Sequence, residues 1–333
     1  MNDRDNRSEV VNLIRSKSKS SRSITGDKLF KALVIGASIY ALLMVALVFY
    51  ALTQGSLPIF LKEGYHFITS TDWNPVEGRE AYGALPYIIG TLVSSAIAMA
   101  IAVPISIGIA IFVNELVPGK IGTVLSFVVE LLAAVPSIVY GLWALFVFRF
   151  WLRDYIEMPL HNAFGNNLSI FGSTPFGLDV FTAGIVLAIM IIPIISAVSR
   201  EVIKAVPGSQ KEAAYALGAT RWEMVKTAIL PYGKSGLLGA SFLGLGRAIG
   251  ETILVTMIIG NAVGLSAIPT SLFSPSQTLS SIIANEFNEA SGDLHLAALI
   301  GLGLVLFIIT LFINVIAIFI VSKVTKSNTN MRE

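Results

Sequence analysis

Apolar residues in this chain gather into long uncharged runs rather than the short periodic stripes of a soluble helix or strand. Six runs approach or exceed the roughly 20 apolar residues needed to cross a bilayer core: Ala32 to about Thr53, Leu85 to Val113, Ile121 to Phe148, Val180 to Val198, Gly236 to Val263 and Leu296 to Val321. The third carries Glu130 and Pro136, the fourth Pro193, and the Gly-rich fifth both Arg247 and Glu251. About 31 residues of polar tail precede the first run, which is longer than the 7–15 residue apolar stretch of a cleaved signal peptide. It reads as a permanent span. The pattern predicts an all-α polytopic membrane protein with six transmembrane helices.

Composition agrees with this. Of 333 residues 54% are apolar and 13% charged, with mean hydropathy +0.76, against roughly 25% charged in a soluble domain. A net charge of +2 leaves no broad basic field for nucleic acid. With no cysteine, disulfides, thiolate metal sites and a cysteine nucleophile are excluded. What charge there is lies asymmetrically. Segments 1–31, 114–120, 199–234 and 323–333 hold 8, 1, 6 and 3 Lys and Arg, whereas 54–83, 149–179 and 264–295 hold 2, 2 and 0. The positive-inside rule then places both termini in the cytoplasm. Residues 1–31 form a cytoplasmic tail whose Arg15, Lys17, Lys19 and Arg22 anchor the orientation and suit anionic lipid headgroups; 32–53 is the first helix, 54–83 an extracytoplasmic loop and 323–333 a second cytoplasmic tail. His66, His161 and His295 fall in exterior loops without a metal motif and read as solvated. Trp73, Trp143 and Trp151 read as interfacial or packing aromatics.

The loop at 199–234 is too polar for the membrane yet well provided with helix signals. Ser209 with Glu212 and Thr220 with Glu223 have capping-box spacing, Gly218 stands where a left-handed stop is wanted, and Pro231 reads as the end of a second short helix. Ala213 and Ala214 beside Glu212 leave a small surface that another protein's backbone could approach. An ordinary helix lying on the headgroups would have the same spacing. In the fifth run, Arg247 and Glu251 are four apart and so able to pair on one helical face. Charges this deep avoid lipid and face protein or water. A structural ion pair fits; so does attraction of an oxyanion by the guanidinium fork, with Glu251 holding and tempering it. Gly236, Ala240 and Gly244, and separately Gly246 and Gly250, offer small faces for close helix packing. Glu130 reads as a lone buried partner. Gly233-Lys234-Ser235 ends like a phosphate-binding loop, but position 228 is Ala and no strand precedes it. Gly244, Gly246 and Gly250 miss dinucleotide spacing by one residue. The chain therefore draws its energy from a partner or an ion gradient.

Glu212-Ala213-Ala214, Gly218 and then Ile229-Leu230-Pro231 resemble the E-A-A loop of ABC importer permeases, although the residue usual between Ile and Leu is absent. Tyr82-Gly-Ala-Leu-Pro, Val135-Pro-Ser-Ile-Val-Tyr-Gly-Leu-Trp143, Gly246-Arg-Ala-Ile-Gly-Glu-Thr252 and Gly260-Asn-Ala262 narrow the resemblance to permeases of phosphate-specific ABC importers. Ile253-Leu254 after that core resembles the PstC type rather than PstA. The resemblance implies a type I importer core over 84–322 and a coupling helix at Glu212, Ala213, Ala214 and Gly218. It also implies Arg247 and Glu251 in the substrate pathway. It further implies a PstA-type permease partner, a PstB-type ATPase dimer carrying ATP and Mg, and a PstS-type extracytoplasmic phosphate-binding protein. This chain would need no cofactor or metal of its own and would sit in a prokaryotic cell (inner) membrane. Sulfate or molybdate as cargo, an ion-coupled secondary transporter, and a membrane scaffold or sensor remain as alternatives from the residues themselves.

Overall fold

Small residues decide where the helices of this protein meet. A computed structural model describes residues 22–117, 119–290 and 292–330; Arg15, Lys17 and Lys19 of the basic tail lie outside the described residues. The chain divides into two compact units at Gln54/Gly55. The described part of the first belongs to helix α1 (Arg22–Glu63). Every described side chain from Gly26 to Ala51 is exposed. An apolar helical stretch with no buried face has lipid as its solvent.

In the second unit, α2 (Leu85–Ile111) starts with Pro86 in its first turn, where a missing N–H leaves no bond unmade. Ala98, Ala102, Ser106 and Ala110 recur every fourth residue along it and all are buried. That stripe admits α5 (Val180–Lys204) at close range, and the Ser106 hydroxyl donates across the contact to the Ile192 carbonyl at 3.1 Å. Between them, the third predicted span is not continuous. It forms α3 (Gly119–Ala133) and α4 (Ser137–Trp143), which continues through π and α turns to Phe164 and bends 87° from α3. The break falls at Pro136, which has no N–H to donate and disfavours helical geometry at Val135. The helix therefore runs well into the segment expected to be exterior loop.

Beyond α5 come α6 (Gly208–Ala216), α7 (Arg221–Met224) and α8 (Leu230–Gly250). Gly236 and Gly244 pack as expected. A Cβ at Gly236 would stand 2.7 Å from the Val202 side chain, and one at Gly244 would run into the Ile195 side chain, so α8 lies close against α5 at both glycines. Gly246 and Gly250 instead have nothing within 4 Å. The chain ends with α9 (Ile253–Ile258), α10 (Leu279–Glu286) and α11 (Asp293–Asn330). Among the described residues four helices are long and apolar enough to cross a membrane, and a fifth crossing results if α3 and α4 count as one bent span.

Three apolar clusters hold the second unit. The central one joins α2, α5, α8 and α9 through Ala102, Leu187, Ala240 and Leu254. A second gathers Ile59, Phe67, Tyr82, Leu279 and Leu302, and a third Ile111, Ile203, Met224 and Ile229. At the second, a two-residue hairpin of β1 (Trp73–Asn74) and β2 (Ala81–Tyr82) pairs Trp73 with Tyr82. Trp73 Nε1 donates to Glu286 Oε2 at 2.9 Å, and His295 Nε2 meets the same oxygen at 2.9 Å while its ring stacks on Tyr82. His295 is thus a buried residue in the first turn of α11, not a solvated loop histidine; the sixth apolar run begins at Leu296, whereas the helix begins at Asp293. His161 is also half-buried in a helix, its Nδ1 2.8 Å from the Phe171 carbonyl oxygen.

Candidate coupling loop and broken-helix site

The polar segment after α5 folds as a helix–turn–helix. α6 starts at Gly208 behind Pro207, so Ser209 lies inside its first turn and does not cap it. The expected Ser209–Glu212 box is absent because proline at the boundary position already fixes the extended entry. The second box forms: the Thr220 hydroxyl accepts from the Glu223 N–H at 3.3 Å, and a Glu223 carboxylate oxygen accepts from the Thr220 N–H at 2.8 Å. Gly218 has φ +81°. Its N–H donates to the Tyr215 carbonyl and the Ala219 N–H reaches back to Ala214, which satisfies the last carbonyls of α6.

Pro231 does not end the second helix. A π turn over Val225–Ile229 leads straight into α8, whose first turn holds Pro231. In the wider turn the Leu230 N–H bonds Val225, five residues back, which lets a proline follow without stopping the helix. The loop is anchored on one side and open on the other. Met224, Val225 and Ile229 are buried in the third cluster, and Lys211 Nζ holds Glu115 Oε1 at 2.6 Å. Glu212, Ala213, Tyr215 and Trp222 are exposed, Leu217 by 90%, while Ala214 is half-buried against the cluster.

The fifth predicted span also differs from expectation. α8 ends at Gly250; Glu251 is extended at φ −71°, ψ 126°. Arg247 and Glu251 therefore do not share a helical face, and among the described residues no ion pair joins them. Glu251 turns to the next segment: its Oε1 accepts from the Leu254 N–H at 3.4 Å and its backbone carbonyl from the Ser280 hydroxyl at 2.9 Å. Arg247, in the last turn of α8, stays exposed on this chain. The segment expected to be exterior loop after 263 is largely folded inward. Ser271, Ser274, Ser276, Gln277, Thr278, Ser280 and Ser281 are buried, and Thr91 and Tyr87 of α2 accept backbone N–H bonds from Leu279 and Gly264. Irregular backbone at membrane depth is tolerated where protein satisfies its polar groups in this way. The density of Ser and Thr over 266–281 was the available signal.

Two further polar contacts were not anticipated. Arg200 on α5 is only 1% exposed; its Nη2 lies 2.8 Å from Glu130 Oε1, while Glu130 is 60% exposed. Glu130 is thus neither lone nor buried: it reaches over α3 to an arginine that had been counted only as a loop charge. Asp179 caps α5, its Oδ1 accepting from the Thr182 N–H at 2.8 Å, and the Thr182 hydroxyl donates to the buried Glu157 at 2.8 Å. Burial pushes the Asp179 carboxyl up from 3.8 to about 6, against the opposing pull of the Thr182 and Phe181 amides. The folded state then keeps a proton that the unfolded chain has already released. Stability from this group is present at low pH and is lost as pH rises through about 6. Replacing Asp179 with Asn, which retains a capping oxygen, is expected to stabilise the protein at neutral pH and to reduce the pH dependence of its melting temperature between about pH 4 and pH 6 without abolishing it, because the buried Glu157 carboxyl on the same Thr182 contact remains. Thermal unfolding in detergent across that window checks this; an unchanged pH slope in D179N would remove Asp179 as its source.

An apolar bundle with a structured polar loop, a helix broken beside a charged residue and inward-folded backbone defines a membrane transport component. The chain belongs to the family described as binding-protein-dependent transport system inner membrane component, whose profile matches residues 102–327. It is 47% identical over 303 residues to the phosphate transport system permease protein PstC of Pasteurella multocida, covering 90% of this chain and 93% of that one. It is 46% identical to the protein of the same name from Haemophilus influenzae, over 90% and 95% of the two chains. A solved structure of the MetNI methionine ABC transporter in an inward-facing conformation superposes on 73% of this chain and 94% of its own with TM-score 0.49 and 20% identity.

Proposed function

We propose that this chain is the membrane permease subunit of an ATP-driven importer that carries inorganic phosphate into the cytoplasm by alternating access. The observation that carries this reading is the 47% identity to a phosphate transport permease across nine-tenths of the chain. Transport is the chain's role, and ATP hydrolysis belongs to a partner. In this reading Glu212, Ala213, Ala214 and Gly218 form the surface that takes up motion from a PstB-type ATPase dimer, which holds ATP and Mg. The exposed loop face with Leu217 at its tip supports that assignment. Arg247 and Glu251 belong to the phosphate pathway. An arginine in a membrane helix that is exposed on the isolated chain requires water or a second subunit beside it, which a PstA-type partner and a central path would supply. A PstS-type binding protein delivers phosphate from outside, both termini are cytoplasmic, and the membrane is a bacterial inner membrane.

The break at Glu251 suits the mechanism. A helix that stops at Gly250 leaves its last carbonyls and the Arg247 side chain at one level, where α8 can tilt against the inward-folded 259–281 segment without unravelling a continuous span. Reconstituting the chain with its partner subunits and binding protein in vesicles is expected to give ATP-dependent uptake of labelled phosphate. Sulfate or molybdate should fail to compete, and collapse of ion gradients should leave uptake intact. Uptake that follows an ion gradient and ignores ATP would overturn the reading.

A further inference from the structure

A groove of about 740 Å³ opens between α2, α8 and α11. Its walls are apolar: Ile107 of α2, Leu237 and Leu238 of α8 and Val324 of α11. Ser241 also lines it, but its hydroxyl is already spent on the Leu237 carbonyl at 2.9 Å. Two lysines complete the lining, Lys234 in the first turns of α8 and Lys323 near the far end of α11. Both are exposed, and among the described residues neither ammonium has a carboxylate within ion-pair distance. Lys234 follows the coupling loop directly, so on the proposed function both lysines lie at the cytoplasmic end of the bundle.

We propose that this groove binds one anionic phospholipid of the cytoplasmic leaflet, its phosphate held by Lys234 and Lys323 and its acyl chains lying along Ile107, Leu237 and Leu238. Two features select that occupant. The volume is that of a ligand-sized cleft, roughly 300–1,000 Å³, open enough for chains to extend beyond it, and the polarity is split as an amphiphile's is. A free phosphate ion would gain nothing from apolar walls. A protein face of purely apolar side chains would leave two cations without counterions. Lysine stems can line the groove while their ammonium groups sit at headgroup level, where basic pockets between membrane helices take up lipid phosphates.

Native mass spectrometry of the assembled complex, released from nanodiscs of phosphatidylethanolamine with a minor fraction of phosphatidylglycerol, tests this. Phosphatidylglycerol should be retained in preference, with retention falling about fivefold for each lysine replaced in Lys234→Gln and Lys323→Gln. The double arginine variant, Lys234→Arg with Lys323→Arg, should keep it. A benzophenone amino acid in place of Leu238 should crosslink to phospholipid. Equal retention of the two lipids, displacement of phosphatidylglycerol by millimolar inorganic phosphate at constant ionic strength, or a crosslink from position 238 to a protein subunit would each overturn the proposal. If the glutamine variants do not assemble, the wild-type preference, the arginine pair and the crosslink still decide it. Retention is read without transport, so its failure and a failure of phosphate uptake are distinguishable.

Discussion

Replacing Gly218 with valine is expected to uncouple ATP hydrolysis from uptake, or to lose the ATPase from the complex, while the chain still inserts and folds. The reason lies in the backbone alone. Gly218 sits at φ +81°, and nothing stands within 4 Å of the place a Cβ would occupy. Bulk therefore meets no obstacle, and the whole penalty is the left-handed conformation, about 1–2 kcal/mol for an ordinary L residue and more for a β-branched one. The chain can relieve that strain by giving up the two bonds that close α6, Gly218 N–H to Tyr215 and Ala219 N–H to Ala214. Doing so moves Leu217, the most exposed apolar side chain of the loop, relative to the anchored Met224 and Ile229. Asparagine tolerates left-handed geometry, so Gly218→Asn should retain most coupling where Gly218→Val does not. The ratio of phosphate taken up to ATP hydrolysed in reconstituted vesicles reads the difference. Equal coupling in both variants and the native chain would mean the loop geometry has no part in transmission.

The same loop shows how far local chemistry could be read. Gly218 and the Thr220–Glu223 box depend on a few neighbouring residues, and both appear where the spacing places them. Ser209 does not cap and Pro231 does not terminate because a close neighbour overrides each: Pro207 sets the helix entry, and a π turn over Val225–Ile229 carries the chain past Pro231. The spans were legible as apolar runs, since bilayer thickness acts on composition directly. Their breaks were not, because an apolar run looks the same whether it is straight or bent by 87° at Pro136. The inward-folded segment 264–281 reads as exterior because its serines resemble solvated loop residues until the contacts that bury it, such as Gly264 and Leu279 bonding to Tyr87 and Thr91 of α2, are known. Arg200 was hidden for a similar reason. It sits where the fourth run gives way to the polar loop, and only the approach of α3 brings Glu130 to it.

Arg247→Gln is expected to reduce phosphate uptake by about ten- to a hundredfold, the consequence of losing a charge-assisted contact worth about 1.5–3 kcal/mol. Assembly should be unchanged. That expectation follows from where the side chain lies: no carboxylate of the described residues pairs with it, Glu251 having turned away to the α9 backbone and Ser280, so neutralising it breaks no ion pair within this chain. The same geometry separates the pathway role from a structural one. Were Arg247 a packing charge, Gln would weaken the complex and lower the yield of co-purified subunits in step with uptake. Were it a pathway charge, yield would hold and uptake alone would fall. Arg247→Lys should lie between, because an ammonium keeps the attraction but not the two-pronged donor geometry suited to a phosphate. Glu251→Gln should have a smaller effect on uptake than Arg247→Gln, since its backbone carbonyl still accepts from Ser280 and its side chain can still cap α9 through the amide oxygen. Normal uptake by Arg247→Gln in a fully assembled complex would remove Arg247 from the pathway and leave the break at Gly250 as the feature to explain.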